Sequence, residues 1–505
     1  AHREEAQGGV GQNPKAGDYH SDLSRGDVVS AEERASISAL RSAGMRGGVS
    51  STSSTSSTSS LPRRSPGITL TVEQELAVRL ACREDMLVLT GGPGVGKTAT
   101  VRSIVQAWRK LGLKVVLACP TAQSAKKLKV VTGQHASTIH RLLEWSPSKE
   151  NFQRDESNPI LADALVVDEA SMMDAHLASC LFKAVAPHTK ILLVGDKDQL
   201  GSVSAGSVFR DVLAVGEVPR VVLTHIFRQQ GDGASEISMS ARAVNEGGLP
   251  SHIRFALTTP KSRQESRIQV CRDGCVMLQS SYVNDCANIV VATVERLINL
   301  GYPAHHIQVL SPVKNGASGT HVLNKRLQRL LNPNARTHDG DGERIMDSRA
   351  EQPVYIGDKV IQLVNDYNRS VFNGDGGVVA RVLDNGIFDV KFDDAGPIGS
   401  PGNQSAYTGL LRYHTRELDV KVGLAYALTV HKAQGSEFPV VVIPMGLFQG
   451  RMLQRAFLYT GMSRAKKLLV LVSNKQAIQR AVGNKESRQR LTFLTEHIRR
   501  SIQAS

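Results

Sequence analysis

The stretch MLVLTGGPGVGKT, residues 86–98, constrains this chain more than any other. Its first five residues, Met86 to Thr90, are mostly apolar and predict a buried strand. Gly91, Gly92, Gly94 and Gly96 then allow a tight turn that exposes consecutive backbone N–H groups. Lys97 and Thr98 open a helix expected to run to about Lys110. The spacing is G-x-x-x-x-G-K-[ST], the phosphate loop, in the strand–loop–helix setting that gives the pattern its meaning. Such a loop holds phosphates through backbone N–H groups and the positive end of the helix. The candidate phosphate-binding residues are therefore Gly91, Gly92, Pro93, Gly94, Val95, Gly96, Lys97, Thr98 and Ala99. Lys97 would neutralise the β and γ phosphates, and the Thr98 hydroxyl would ligate a metal. A nucleoside triphosphate with Mg²⁺ is the ligand this chemistry implies.

At 505 residues the chain is too long for one core and should hold two to four domains. Its 41% hydrophobic and 21% charged content is that of a globular protein. No apolar run reaches the roughly 18 residues of a membrane span, so no membrane partner is expected. The net charge of +14 favours a polyanionic partner, of which nucleic acid is the usual one. Cys82, Cys119, Cys180, Cys271, Cys275 and Cys286 are dispersed, with no C-x-x-C pair. That pattern points to reduced thiols in an intracellular protein and to no zinc site.

Residues 1–66 are rich in Gly, Ser and Arg and lack apolar periodicity, which predicts a disordered leader or linker. Its many acidic residues, Glu4, Glu5 and Asp18 among them, argue against a transit peptide. Strand–helix alternation begins near Ile68. A helix is expected over 70–81, capped by Thr71 with Gln74 in its first turn. Strands at 114–118, 164–167 and 190–194, separated by helices, predict a parallel sheet with functional residues at the strand C-termini. A second alternating block starts at about Cys275. It is interrupted by closely spaced short strands, at 357–364, 376–383 and 386–392, that suggest a small β-barrel insertion. Alternation resumes near Val440, and 475–503 reads as helical and basic.

Asp168-Glu169 follows an apolar strand downstream of the phosphate loop. Asp168 is the expected Mg²⁺ ligand, and Glu169 the carboxylate that polarises the attacking water.

These segments together resemble RecD-like DNA helicases of superfamily 1, the 5′-to-3′ branch. The resemblance is carried by EQELAV at 73–78, GGPGVGKT at 91–98, CPTAQSAKKL at 119–128 and ASTIHRLL at 136–143. It continues through VVDEASMMD at 166–174, GDKDQL at 195–200, FRQ at 227–229 and LSPVKNGASGTHVLNKRLQ at 310–328. GDKVIQLVNDYN at 357–368, NGDGGVV at 373–379, LTVHKAQGSEFP at 428–439 and LYTGMSRAK at 458–466 complete it, in family order. Where the family usually has Gly-Arg after Pro120-Thr121, this chain has Ala122-Gln123.

The resemblance implies two RecA-like parallel-sheet domains, with a β-hairpin pin and an SH3-like barrel inserted in the second. The expected bounds are 67–218 for the first domain, with the pin at about 145–161 and Phe152 midway along one arm. The second domain would take 219–350 and 419–505, the latter with a C-terminal helix, around a barrel at 351–418. The resemblance further implies that the triphosphate is ATP, that Gln74 reads its adenine and that Gln199 senses the γ-phosphate. Arg228 and Arg464 would reach into the cleft from the second domain, and Gly435 and Glu437 would line it. Pro120, Thr121, Thr138, His140, Thr429 and His431 would meet the DNA strand. The implied activity is ATP-driven translocation on single-stranded DNA and unwinding of duplex DNA, in repair or recombination. Its partners would be single-stranded DNA, duplex ends, and single-strand-binding or nuclease proteins. Two alternatives stay open: a subunit of a helicase–nuclease complex, and a non-unwinding DNA-binding protein switched by ATP.

Overall fold

A computed structural model describes residues 70–146, 148–227, 233–251, 253–256, 273–280, 283–336, 344–345, 353–366, 369, 371–383, 386–392, 410–485, 490 and 492–504. The expected leader at 1–66 and the cleft arginine Arg228 lie outside the described residues.

The first lobe is a six-stranded parallel sheet. Its spatial order is Ala136–Thr138, Val115–Cys119, Ala164–Val167, Lys190–Gly195, Met86–Gly91, Arg220–Leu223. Both faces are covered, so these strands are near-continuous apolar runs. Along the phosphate-loop strand, Leu87 and Leu89 pack with Ile104, Trp108 and Leu117 on one side. Val88 packs with Met173, Leu177 and Phe209 on the other. Each such aliphatic side chain, fully buried, contributes about 1.5–3 kcal/mol. Trp108 Nε1 donates to the Ala81 carbonyl at 2.9 Å. That bond ties the phosphate-loop helix, Lys97–Lys110, to the first helix, Val72–Arg83.

The strand Arg220–Leu223 moves the lobe boundary beyond the expected residue 218. It pairs in parallel with the phosphate-loop strand, Leu223 beside Gly91. A Cβ on Gly91 would lie 2.7 Å from the Leu223 carbonyl oxygen, so glycine is what lets this strand close in.

The second lobe repeats the plan: Ala427–Thr429, Ile307–Ser311, Phe438–Pro444, Ala465–Ser473, Gly274–Gln279, Ile253–Ala256, all parallel. Ile253–Ala256 is an edge strand ahead of the expected start near Cys275. A five-stranded antiparallel sheet stands on this lobe, made of Leu410–His414, Ile387–Phe392, Gly376–Leu383, Lys359–Gln362 and Val422–Leu424. Its last strand lies past the expected limit of 418. Asp358 anchors the sheet. Its buried carboxylate accepts from Gln328 and Asn332 at 2.7 Å, from the Tyr355 amide at 2.8 Å and from the Tyr426 hydroxyl at 3.0 Å.

Two further expectations change. The pin is a hairpin with two residues per arm, Trp145–Ser146 against Asn151–Phe152. Phe152 is buried at its base, edge-on to Trp145 at 4.9 Å and 5.6 Å from the His140 ring, because an exposed phenyl gains more by joining the adjacent core. The C-terminal segment forms two helices, Lys475–Gly483 and Leu494–Ala504. The second docks on the first lobe instead of the second: Leu494 and Ile498 pack against its core. Thr492 donates to the Asp211 carboxylate at 2.6 Å, and Arg499 to the Ala214 carbonyl at 2.9 Å. Among the described residues, no helix is long and apolar enough to cross a membrane.

Candidate active site

The phosphate loop is shaped by two left-handed glycines, Gly94 at φ +78° and Gly96 at φ +83°. Gly96 caps the helix Lys97–Lys110 without a side-chain hydrogen bond, which leaves its first N–H groups for an anion. Val95 is buried beneath the loop, so only its backbone can serve a ligand. Lys97 Nζ curls over the loop and donates to the Gly91 carbonyl at 2.6 Å and the Gly92 carbonyl at 3.0 Å. Gln74 is buried, and its oxygen accepts the Thr71 N–H at 3.1 Å in a capping box. A Cβ on Gly96 would lie 2.7 Å from Gln74 Nε2 and 3.0 Å from the Phe227 ring. Phe227 is half-exposed, edge-on to His225 at 5.0 Å, and its N–H donates to Gly94 at 3.2 Å. The Phe227-Arg228-Gln229 tripeptide marks Arg228 as the candidate cleft residue, and Phe227 carries no sequence signal beyond its place beside it.

Asp168 ends the buried strand Ala164–Val167, and its carboxylate accepts the Glu169 N–H at 2.9 Å. Burial, with Glu169 alongside, pushes the Asp168 carboxyl up to about 6, against the pull of Lys97 and Lys127. A half-buried carboxylate whose charged form is disfavoured makes Asp168 a candidate ligand for a cation such as Mg²⁺, with the Thr98 hydroxyl as a second candidate. Among the described residues no cluster of three or more His, Cys, Asp or Glu is placed to hold a metal. A Mg²⁺ shared with phosphates requires no such cluster. Glu169 sits at φ +55°, the left-handed region, at the head of the short turn Ala170–Met172. For a non-glycine residue that conformation costs on the order of 1 kcal/mol, and such strain clusters at working sites.

The two lobes meet over this edge. Arg464 is buried and donates to Gln199 Oε1 at 3.0 Å, the Ser436 carbonyl at 3.3 Å, the Thr460 carbonyl at 3.2 Å and Ser463 Oγ at 2.9 Å. Gln199 and Arg464, expected on opposite lobes, are thus brought into contact. Gly435, at φ +80°, packs on the first lobe: a Cβ there would lie 2.4 Å from Ser124 Oγ. Glu437 pairs with Lys127 at 2.6 Å and Lys466 at 3.1 Å. Burial raises its carboxyl, but Lys127 and then Lys466 outweigh that and hold it down to about 2. Both residues therefore act at the lobe contact. Gln123, standing where the family has arginine, accepts from Ser436 Oγ and donates to the Gly374 carbonyl of the barrel. Beside it Lys126 pairs with Asp375 at 2.8 Å.

The candidate DNA residues occupy the opposite end of each strand row. Pro120-Thr121 follow Val115–Cys119, and Thr138 ends the neighbouring edge strand, paired with Cys119. Thr429 ends the edge strand of the second sheet, paired with Ser311. Several of these side chains also hold local turns. Thr121 accepts the Ser124 N–H at 3.3 Å, Thr138 the Arg141 N–H at 3.2 Å, and Thr429 the Lys432 N–H at 3.4 Å. Burial lowers the pKa of both His140 and His431, which favours neutral rings; His431 lies 6.5 Å from Phe457.

Two parallel-sheet lobes, the first carrying a phosphate loop at a strand end and the second an antiparallel five-stranded sheet, define the class: a phosphate-loop α/β protein. Family models match in the same order: an AAA domain at 74–205, an ATP-dependent RecD-like DNA helicase SH3 domain at 323–392, and a UvrD-like helicase C-terminal domain at 424–472. The chain is similar to RecD-like DNA helicases. It is 34% identical over 433 residues to the ATP-dependent RecD2 DNA helicase of Deinococcus radiodurans, a match covering 85% of this chain and 52% of that protein. It therefore spans about half the length of that relative. It is 29% identical over 442 residues to RecBCD enzyme subunit RecD of Mycolicibacterium smegmatis, covering 81% of this chain and 72% of the relative. Among solved structures, Bacteroides Pif1 bound to single-stranded DNA is 17% identical, with 87% and 98% of the chains covered and a TM-score of 0.44.

Proposed function

We propose that the chain is an ATP-dependent DNA helicase that translocates on single-stranded DNA and unwinds duplex DNA. The observation that carries this reading is the contact between Arg464 of the second lobe and Gln199 of the first, at the strand ends that also bear the phosphate loop and Asp168-Glu169. A nucleotide site completed by both lobes makes hydrolysis a lobe movement, and the candidate DNA residues lie on both lobes.

Lys97 and the helix N-terminus would bind the phosphates, and Glu169 would accept a proton from the attacking water. Arg464 would meet the charge that develops on the phosphates, with Arg228 as its expected companion. Phe227 and Gln74 flank the space where the base would lie. Thr98 and Asp168 would hold Mg²⁺, which supplies countercharge to the phosphate oxygens when bound. Pro120, Thr121, Thr138, His140, Thr429 and His431 would follow the DNA backbone without reading bases, as a motor on any sequence requires. The short hairpin at 145–152 would separate the strands through its exposed tip, since Phe152 is committed to the core. A second reading, as the motor subunit of a helicase–nuclease assembly, is favoured by the similarity to RecD of the RecBCD enzyme.

Single-stranded DNA is expected to stimulate ATP hydrolysis and to bind in a salt-dependent, sequence-tolerant way. If about five phosphates are neutralised, log K should fall against log salt with a slope of about −3.5. Titrating labelled homopolymers across a salt series checks this. A flat salt dependence, or a strong base preference, contradicts backbone tracking.

A further inference from the structure

The first-lobe loop at 196–200 has its hydrogen bonding completed by the second lobe. The Leu200 N–H donates to Thr460 Oγ1 at 2.9 Å, and the Leu200 carbonyl accepts from Gln434 at 2.7 Å. Asp198 accepts from Asn245 at 2.8 Å. At the base of the loop Asp196 is 1% exposed. Its Oδ1 takes the Asp198 N–H at 3.1 Å. Its Oδ2 takes two donors, Gln199 Nε2 at 3.0 Å and the Tyr459 hydroxyl at 2.8 Å. Tyr459 comes from the second-lobe helix Arg455–Met462 and is itself 2% exposed.

The chemistry of this chain of bonds leaves one arrangement. A carboxamide has a donor end and an acceptor end. An ionised carboxylate only accepts and a guanidinium only donates. With Asp196 on one side and Arg464 on the other, Gln199 must point its nitrogen at Asp196 and its oxygen at Arg464. A flipped amide would set oxygen against oxygen and N–H against N–H. The Tyr459 hydroxyl holds the carboxylate that enforces this choice, and burial, then Asp196, raises its pKa, so it stays a neutral donor. The same hydroxyl would lie 3.2 Å from a Cβ on Gly92, which puts it against the phosphate loop.

We infer that Tyr459 and Asp196 are positioning residues for ATP hydrolysis: the Tyr459 hydroxyl, crossing the cleft, pins Asp196, and Asp196 fixes Gln199 with its oxygen end as the acceptor in the cleft. The inference rests on the reading of Gln199 and Arg464 as parts of the ATP site. Their alignment is established only while Tyr459 reaches Asp196, which makes hydrolysis conditional on lobe closure.

Steady-state ATPase with saturating single-stranded DNA tests this on the full chain. The variants are Gln199→Ala, Tyr459→Phe, Asp196→Asn and the Tyr459→Phe/Asp196→Asn double. Tyr459→Phe keeps the ring in the core and removes only the hydroxyl. It should lower kcat about tenfold or more, with KM for ATP within about threefold, as expected of lost alignment. Asp196→Asn should do the same, since its amide can donate and frees Gln199 to flip, and the double should be no worse than the worse single. Unchanged kcat in Tyr459→Phe with a fall in Gln199→Ala overturns the inference and leaves the ATP-site reading standing. Unchanged kcat in Gln199→Ala overturns both. A raised KM at constant kcat in Tyr459→Phe, or multiplicative losses in the double, also overturns it, because the hydroxyl would then act on the nucleotide or independently of Asp196.

Discussion

Glu169→Gln is expected to lower ATP turnover by about 10²–10⁴-fold while nucleotide affinity is retained. Glutamine matches glutamate in size but cannot take a proton from water at neutral pH. The substitution leaves Lys97, the glycines of the loop and the helix N-terminus as they are, and in the proposed mechanism those groups would carry binding. The backbone at this position, φ +55°, is held by the Asp168 carboxylate accepting the Glu169 N–H and by the Met172 N–H donating to the Glu169 carbonyl at 3.0 Å. Neither bond involves the Glu169 side chain, so the turn should survive. Fluorescent-nucleotide titration and steady-state ATPase on the same sample separate the two effects. Normal turnover by Glu169→Gln contradicts its assignment as the water-activating carboxylate, and lost binding would make it a binding residue.

Arg464→Lys should cost about 10³-fold in DNA-stimulated turnover, within the range known for arginine fingers. Lysine keeps the charge but loses the planar fork. In this chain the fork spans Gln199 of the first lobe and Ser436, Thr460 and Ser463 of the second. One ammonium cannot reach this set together, so closure would no longer place a cation against Gln199. The comparison to make is kcat with and without single-stranded DNA. Basal and stimulated rates should converge in the variant. A full DNA-stimulated rate would show that another cation, such as the expected Arg228, serves this role alone.

Much of this arrangement is local in sequence and was therefore legible. Glycines at fixed intervals, an apolar run before Gly91, and acidic residues after the runs at 164–167 and 190–195 each declare themselves within about ten residues. The capping box of Thr71 and Gln74 is of the same kind and forms as expected. What escaped is non-local. Arg220–Leu223 is short and has an exposed valine in the middle, so nothing in it tells which sheet it joins. The last helix is amphipathic, and periodicity tells that a face is buried but not against which lobe. The lone Phe152 read as the arm of a long hairpin, because a sequence does not reveal that a ring folds back onto His140 and Trp145. Tyr459 and Asp196 lie 263 residues apart, and a buried tyrosine in an apolar helix reads as core. Departure from a family pattern was visible at Gln123, yet its use as a bridge to Ser436 and the barrel needed the folded chain.

ATP hydrolysis is expected to drive directed strand separation, which a strand-displacement assay reads out. A labelled duplex carrying a 5′ single-stranded tail, its 3′-tailed counterpart and a blunt duplex are mixed with the protein, ATP and Mg²⁺, with a trap for the released strand. The expected result is release from the 5′-tailed duplex, with little from the other two, and none without ATP or with Glu169→Gln. The polarity follows the family resemblance, and release from the 3′ tail alone would reverse it. DNA-stimulated ATP hydrolysis with no strand released from any substrate would contradict the helicase reading and leave a DNA-binding protein switched by ATP.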